Sequence, residues 1–97
     1  MNTLQKSRQR CVIRLFFNCY YDDVVKELKS KIMEISGVKN ISYVRSSIVK
    51  EFHFIEIVPE DTKLVQTIVL KVNVLLNNYK DIVYGVKIYH TCLTSSS

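Results

Sequence analysis

Seven residues in three separate stretches have the side-chain types that bind flat, anionic ligands: Arg14, Phe16, Lys50, Phe52, Phe54, Lys87 and Tyr89. Each stretch alternates with a period of two, and the seven fall on the parity opposite to the densest apolar positions, so they share one surface. Exposed rings stack nucleobases and neighbouring Lys and Arg neutralise phosphates, which predicts a platform for single-stranded RNA or DNA. The same rings are equally suited to burial by a second subunit or by a terminal segment folded over them, which predicts a homodimer or another protein partner instead.

The other candidates for chemistry have simpler explanations. His53 and His90 are the two histidines, and parity turns both toward the apolar side, on strands that should not be adjacent, so both are expected as core residues and not as ligands or bases. The three cysteines, Cys11, Cys19 and Cys92, have neither metal-ligand nor redox spacing, and an odd number suits a reducing compartment. No disulfide and no metal site is expected, and Cys11 reads as a small core hydrophobe. Glu60 and Asp61 precede an apolar run, where carboxylates favour the positive end of a helix dipole. There is no Gly-rich phosphate loop, and no nucleophile has a visible partner. Neither catalysis nor a cofactor is expected.

Regular elements must position these side chains. In residues 11 to 18, Cys11, Ile13, Leu15 and Phe17 share one face and Val12, Arg14 and Phe16 the other, the pattern of a half-buried strand. Asp22 or Asp23 is a candidate N-cap for a helix whose apolar stripe is Val24, Val25, Leu28, Ile32 and Ile35, with Gly37 closing it. Residues 38 to 45 and 49 to 58 are rich in β-branched and aromatic side chains and are joined at Ser46 and Ser47, which predicts a hairpin ending at Pro59. A second helix spans Leu64 to Leu76, and residues 82 to 91 return to alternation, with Val86 and Ile88 inward.

The order strand, helix, strand, strand, helix, strand predicts an α+β domain of the ferredoxin-like βαββαβ type, a four-stranded antiparallel sheet with two helices on one face. The first and third strands, with the densest apolar patterns, should be central. Residues 50 to 57, Lys50-Glu51-Phe52-His53-Phe54-Ile55-Glu56-Ile57, resemble the ribonucleoprotein octapeptide of the RNA recognition motif, with a basic first position and aromatics at the third and fifth. Leu15-Phe16-Phe17 loosely resembles that family's shorter motif. That resemblance implies binding of single-stranded nucleic acid by the open sheet face. Gly37 to Ile41, Phe52 to Pro59 and Val86 to Ile88 are also similar to the cytoplasmic domain of cation diffusion facilitators. Gln66-Thr67-Ile68 and the Val86 to His90 ending are similar to the maturation chaperone of periplasmic nitrate reductase.

The second helix raises a separate binding question. Leu64, Val65, Ile68, Val72, Leu75 and Leu76 suffice for a core face, yet Val69, Leu70 and Val74 are apolar as well. More than a 100° apolar stripe predicts a protein interface at these three residues. At 97 residues, with 47% hydrophobic and 24% charged side chains, the chain suits a single domain at residues 10 to 92 between flexible tails at 1 to 9 and 93 to 97. Charges at Arg14 and Lys71 interrupt the longest apolar stretches, so no membrane span is expected. The basic N-terminus lacks a cleavage-site pattern, and a cytoplasmic location is expected. The net charge of +5 favours anionic partners without choosing among them.

Overall fold

A computed structural model describes residues 8 to 95, with the side chains of residues 10 to 93. In chain order the elements are β1 (Arg8–Asn18), α1 (Asp22–Met33), β2 (Val38–Arg45), β3 (Phe52–Pro59), α2 (Val65–Asn77) and β4 (Tyr84–Ser95), with a short 3-10 turn at Thr62–Leu64 before α2. All strand pairs are antiparallel and the order across the sheet is β2-β3-β1-β4. This is the ferredoxin-like arrangement expected from the element order, with β1 and β3 central.

The alternation in β1 is realised residue by residue. Cys11, Ile13, Leu15 and Phe17 are buried, as are Ile55 and Ile57 of β3. The helices supply Val25, Leu28 and Ile32 from α1 and Val65, Ile68, Val72 and Leu76 from α2. Burying an aliphatic or aromatic side chain of this size is worth about 1.5 to 3 kcal/mol, so the layer of helices on one sheet face supplies most of the driving force. The side chain of Tyr79, just past α2, donates to Glu27 of α1 at 2.7 Å and ties the two helices together.

Several local expectations are corrected. Tyr21, in extended conformation, occupies the N-cap of α1 with no side-chain bond, and Asp22 and Asp23 lie in the first turn. They act there on the helix dipole and not as caps. Asp61 does cap, accepting from the Lys63 amide at 2.9 Å. Gly37 lies beyond the end of α1, with a φ of 98° in the turn into β2. The hairpin connection is longer than two serines. It runs from Ser46 to Glu51, with the Ser46 hydroxyl accepting from the Val49 amide at 2.9 Å. Strand pairing also extends past both domain limits read from the sequence, since β1 begins at Arg8 and β4 runs to Ser95. The rest of the two tails lies outside the described residues.

The largest correction concerns the cysteines. Cys11 and Cys92 face each other across β1 and β4 and form a disulfide, at a sequence separation of 81. Cys19 alone is a free, buried thiol. An odd count had hidden an even pair, and with it goes the basis for inferring a reducing compartment. The disulfide clamps a place that pairing alone holds weakly. β3 pairs with β1 only from Ile13 to Asn18, so residues 8 to 12 and 91 to 95 form a two-stranded ribbon past the end of the four-stranded region. Such ribbons are marginal in water without further cover.

Closing so long a loop is worth about 2 to 4 kcal/mol. Reduction, or replacement of Cys11 and Cys92 by Ser, is expected to lower Tm by on the order of 10 to 25 °C in a domain of this size. Thermal melts with and without reductant measure this. Alkylation of the unfolded, unreduced chain should label Cys19 alone; labelling of all three cysteines would show that the bond is absent.

Candidate functional site

The open face of the sheet is built by the even-numbered positions of β1 and β3. Phe16 is at its centre. Its ring stacks on Phe54 at 4.8 Å between centroids and on Phe52 at 6.0 Å, and meets Tyr89 edge-on at 6.0 Å. Strand register explains the grouping, because Phe16 pairs with Phe54 on one side and Lys87 on the other, and Val44 lies across from Phe54. The next row along the sheet is Ser42, Glu56, Arg14 and Tyr89, and beyond it Asn40 pairs with Val58 and Val12 with Thr91. The three phenylalanines are half-buried by one another, while Val44 is 57% and Tyr89 55% exposed. Among the described residues no element covers this face.

The structure therefore brings together Arg14, Phe16, Phe52, Phe54, Lys87 and Tyr89, but not Lys50. Lys50 precedes β3, in the exposed turn after β2. The extended reading of residues 49 to 58 had placed it on the sheet. Arg14 is partly engaged, since its Nε lies 3.3 Å from Glu56 Oε2. Glu56 shares the face by the same parity as Phe52 and Phe54, and the sequence reading had left it out. A carboxylate at the middle of the platform, next to its main cation, opposes a polyanion.

At the edge of the face a second aromatic pair stands near the hairpin turn. Tyr20 and Tyr84 stack at 6.3 Å, and the Tyr20 hydroxyl donates to Glu51 at 3.3 Å. The Tyr20 pKa is raised to about 12, first by hydrogen bonding with the Tyr84 side chain and next by the negative charge of Glu51. Sequence reasoning missed this pair because Tyr20 belongs to no strand and its neighbours are distant in the chain.

The two histidines part company. His53 is buried and fully satisfied: Nε2 lies 2.9 Å from the Cys19 carbonyl and Nδ1 2.8 Å from the Tyr43 hydroxyl. A carbonyl can only accept, so Nε2 carries the proton and Nδ1 accepts from Tyr43. Its ring also stacks on Phe17 at 5.2 Å. His53 is thus the core residue expected. His90 is on the helix-facing side by register, opposite Ile13, but it is exposed. The helix layer stops short of β4. Among the described residues, no group of three or more His, Cys, Asp or Glu side chains is placed to hold a metal ion.

The interface expected on α2 is reduced. Val69 packs against the core as a flanking residue, whereas Leu70 and Val74 are 65% and 69% exposed. Separated by four residues, these two form one small apolar spot on the outer side of the helix. No helix among the described residues is long and apolar enough to cross a membrane.

No protein-family model matches the chain, those of the RNA recognition motif and the cation diffusion facilitators included, and a search of curated proteins returns no match. Solved structures do match in fold. CPII, a nitrogen regulatory PII-like protein from Thiomonas intermedia, superposes with a TM-score of 0.61 at 11% identity, covering 95% of this chain and 97% of that one. SnoaB, a cofactor-independent oxygenase from Streptomyces nogalater, gives 0.56 at 10% identity, covering 91% and 94%. A putative antibiotic biosynthesis monooxygenase from Deinococcus radiodurans gives 0.54 at 13% identity, covering 82% and 89%. The fold is that of ferredoxin-like α+β domains. The nucleic-acid reading is overturned: these similar structures are a signalling protein and oxygenases, Lys50 is off the face, and Glu56 sets a carboxylate beside Arg14 within it.

Replacing Tyr43 with Phe removes the donor to buried His53 Nδ1 and should cost about 1 to 3 kcal/mol, read from the denaturant midpoint. An unchanged midpoint would mean that the bond is not made. The raised pKa of Tyr20 has a defined sign: the folded state favours the neutral phenol, so its contribution is present below the ordinary value near 10 and is lost as pH rises toward 12. The tyrosinate absorbance difference between wild type and Tyr20→Phe should titrate at about 12. Glu51→Gln should move that titration down; a difference centred near 10 would contradict the assignment.

Proposed function

We propose that this chain is a non-catalytic, self-associating domain, a regulatory or scaffold module whose open sheet face meets the same face of a second copy. The observation that carries this reading is the Phe16, Phe52 and Phe54 cluster, extended by Val44, Val12, Val58 and Tyr89 on a surface that no second layer covers among the described residues. A contiguous apolar patch rimmed by polar groups is the surface expected of an interaction site. Sheets pack face to face at about 10 Å through such side chains. Covering the Arg14–Glu56 pair leaves neither charge alone, and its desolvation offsets part of what the rings contribute.

A two-fold arrangement needs one self-complementary patch and no further component. The absence of catalysis is part of the proposal. Its support is that both ring nitrogens of His53 are committed to structural hydrogen bonds and that the free thiol of Cys19 is buried. A location in the cytoplasm is not part of it.

Light scattering across a range of protein concentrations tests the reading. The wild type should show a mass that is a multiple of the 11.3 kDa chain. Phe54→Asp should weaken the face contact by about 30-fold or more, a hot-spot loss of about 2 kcal/mol. Val44→Asp, at a more exposed neighbour, serves as the second variant should Phe54→Asp impair folding by circular dichroism. A wild type that is monomeric at every concentration, or an assembly indifferent to both changes, would overturn it.

A further inference from the structure

The two edges of the sheet differ in protection. Beside β2, Lys29 Nζ lies 4.0 Å from the Tyr43 ring centroid, Asp22 pairs with Arg45, and a register irregularity interrupts the ladder between Val38 and Asn40. Covering helices, charges and bulges are the means by which edges avoid pairing with other chains. β4 has an irregularity only near its start, opposite Phe16 and Asn18. From Val86 to Ser95 it has a single Lys or Arg, Lys87, and no Asp, Glu or Pro. Val86 and His90 are exposed and Ile88 is half-buried, so neither side of the strand is fully covered.

Strand pairing also shows which backbone groups are free. The Cys19 amide, just past β1, donates to the Glu51 carbonyl at 2.8 Å. Odd-numbered β1 residues therefore direct their amides and carbonyls toward β3, and even-numbered ones toward β4. Cys11 and Cys92 agree: their Cα atoms are 4.0 Å apart, the close spacing of a pair that does not exchange hydrogen bonds. The N–H and C=O groups of Ile88, His90 and Cys92 consequently point away from β1, along the open edge.

We propose that β4 is a strand-pairing edge that takes β4 of a second copy, antiparallel, about a two-fold axis at His90. In that register His90 faces its own counterpart and Ile88 faces Cys92, and each of these pairs exchanges two hydrogen bonds. One contact closes both exposed edges, which a foreign strand would not do. The Lys87 side chains of the two copies fall apart, opposite Leu93. The contact extends the sheet sideways and leaves the Phe16 face open, so it stands independently of the face-to-face association proposed above.

The test is made in the Phe54→Asp background, where the face contact is weakened. That protein should retain twice the 11.3 kDa chain mass in light scattering, and adding His90→Pro should return it to one chain. Among the described residues the His90 amide has no partner, so proline removes the edge donor while sparing the β1–β4 ladder. His90→Lys, which sets like charges opposite each other, decides the matter if the proline variant does not fold. By NMR, the Ile88 and Cys92 amides should exchange about 100-fold more slowly in the Phe54→Asp dimer than in the His90→Pro form. A monomeric Phe54→Asp protein whose Ile88 and Cys92 amides exchange freely would overturn the edge, as would a dimer indifferent to both His90 variants. A wild-type assembly insensitive to Phe54→Asp but lost on His90→Pro would uphold the edge and overturn the face.

Discussion

Strand β1 is hydrogen-bonded along both sides, to β3 and to β4, and the rest of the molecule depends on that position. Its odd-numbered side chains seed the core under both helices, and its even-numbered ones form the middle of the open face. A slip of one residue would exchange the two sets and put Arg14 among the helices. Two features hold the register. Ile13, Leu15 and Phe17 lose all exposure in only one phase, and the Cys11–Cys92 bond fixes β4 against β1 where the sheet has narrowed to two strands.

Buried polarity is confined to one residue and is fully answered. Among the described side chains, His53 is the only buried polar or charged one, and its two ring nitrogens are bonded to β2 through Tyr43 and to the end of β1 through the Cys19 carbonyl. A partner missing on either side would leave a desolvated polar atom, a cost comparable to a large part of a small domain's stability. The histidine therefore specifies how the end of β1 and the β2–β3 hairpin meet, in addition to filling space beside Phe17.

The helices shield one side of the sheet and only part of its width. α1 and α2 cover β2, β3 and β1, and β4 lies at the margin. The two associations proposed would use unlike surfaces, an apolar face rich in rings and an edge rich in backbone groups unpaired among the described residues. Side-chain burial would drive contact at the first and directional hydrogen bonding at the second, so the two proposals do not exclude each other.

What the sequence determined by itself was the period of each segment, and from it the element order, the ferredoxin-like class, the inward side of β1, β3 and β4 and the central place of β1 and β3. Those follow from local alternation, which is complete within eight or ten residues. It placed Phe16, Phe52, Phe54, Lys87 and Tyr89 on one face for the same reason, and it identified His53 as a core residue. The tertiary structure decided what depends on pairs distant in sequence: the bond between Cys11 and Cys92, the ion pair of Arg14 with Glu56, and the partners of His53. It also decided how far the helices reach, which leaves His90 exposed and Val69 packed although the pattern assigned both the other way. Alternation tells which way a side chain points, but only the packed chain determines whether anything stands there to meet it.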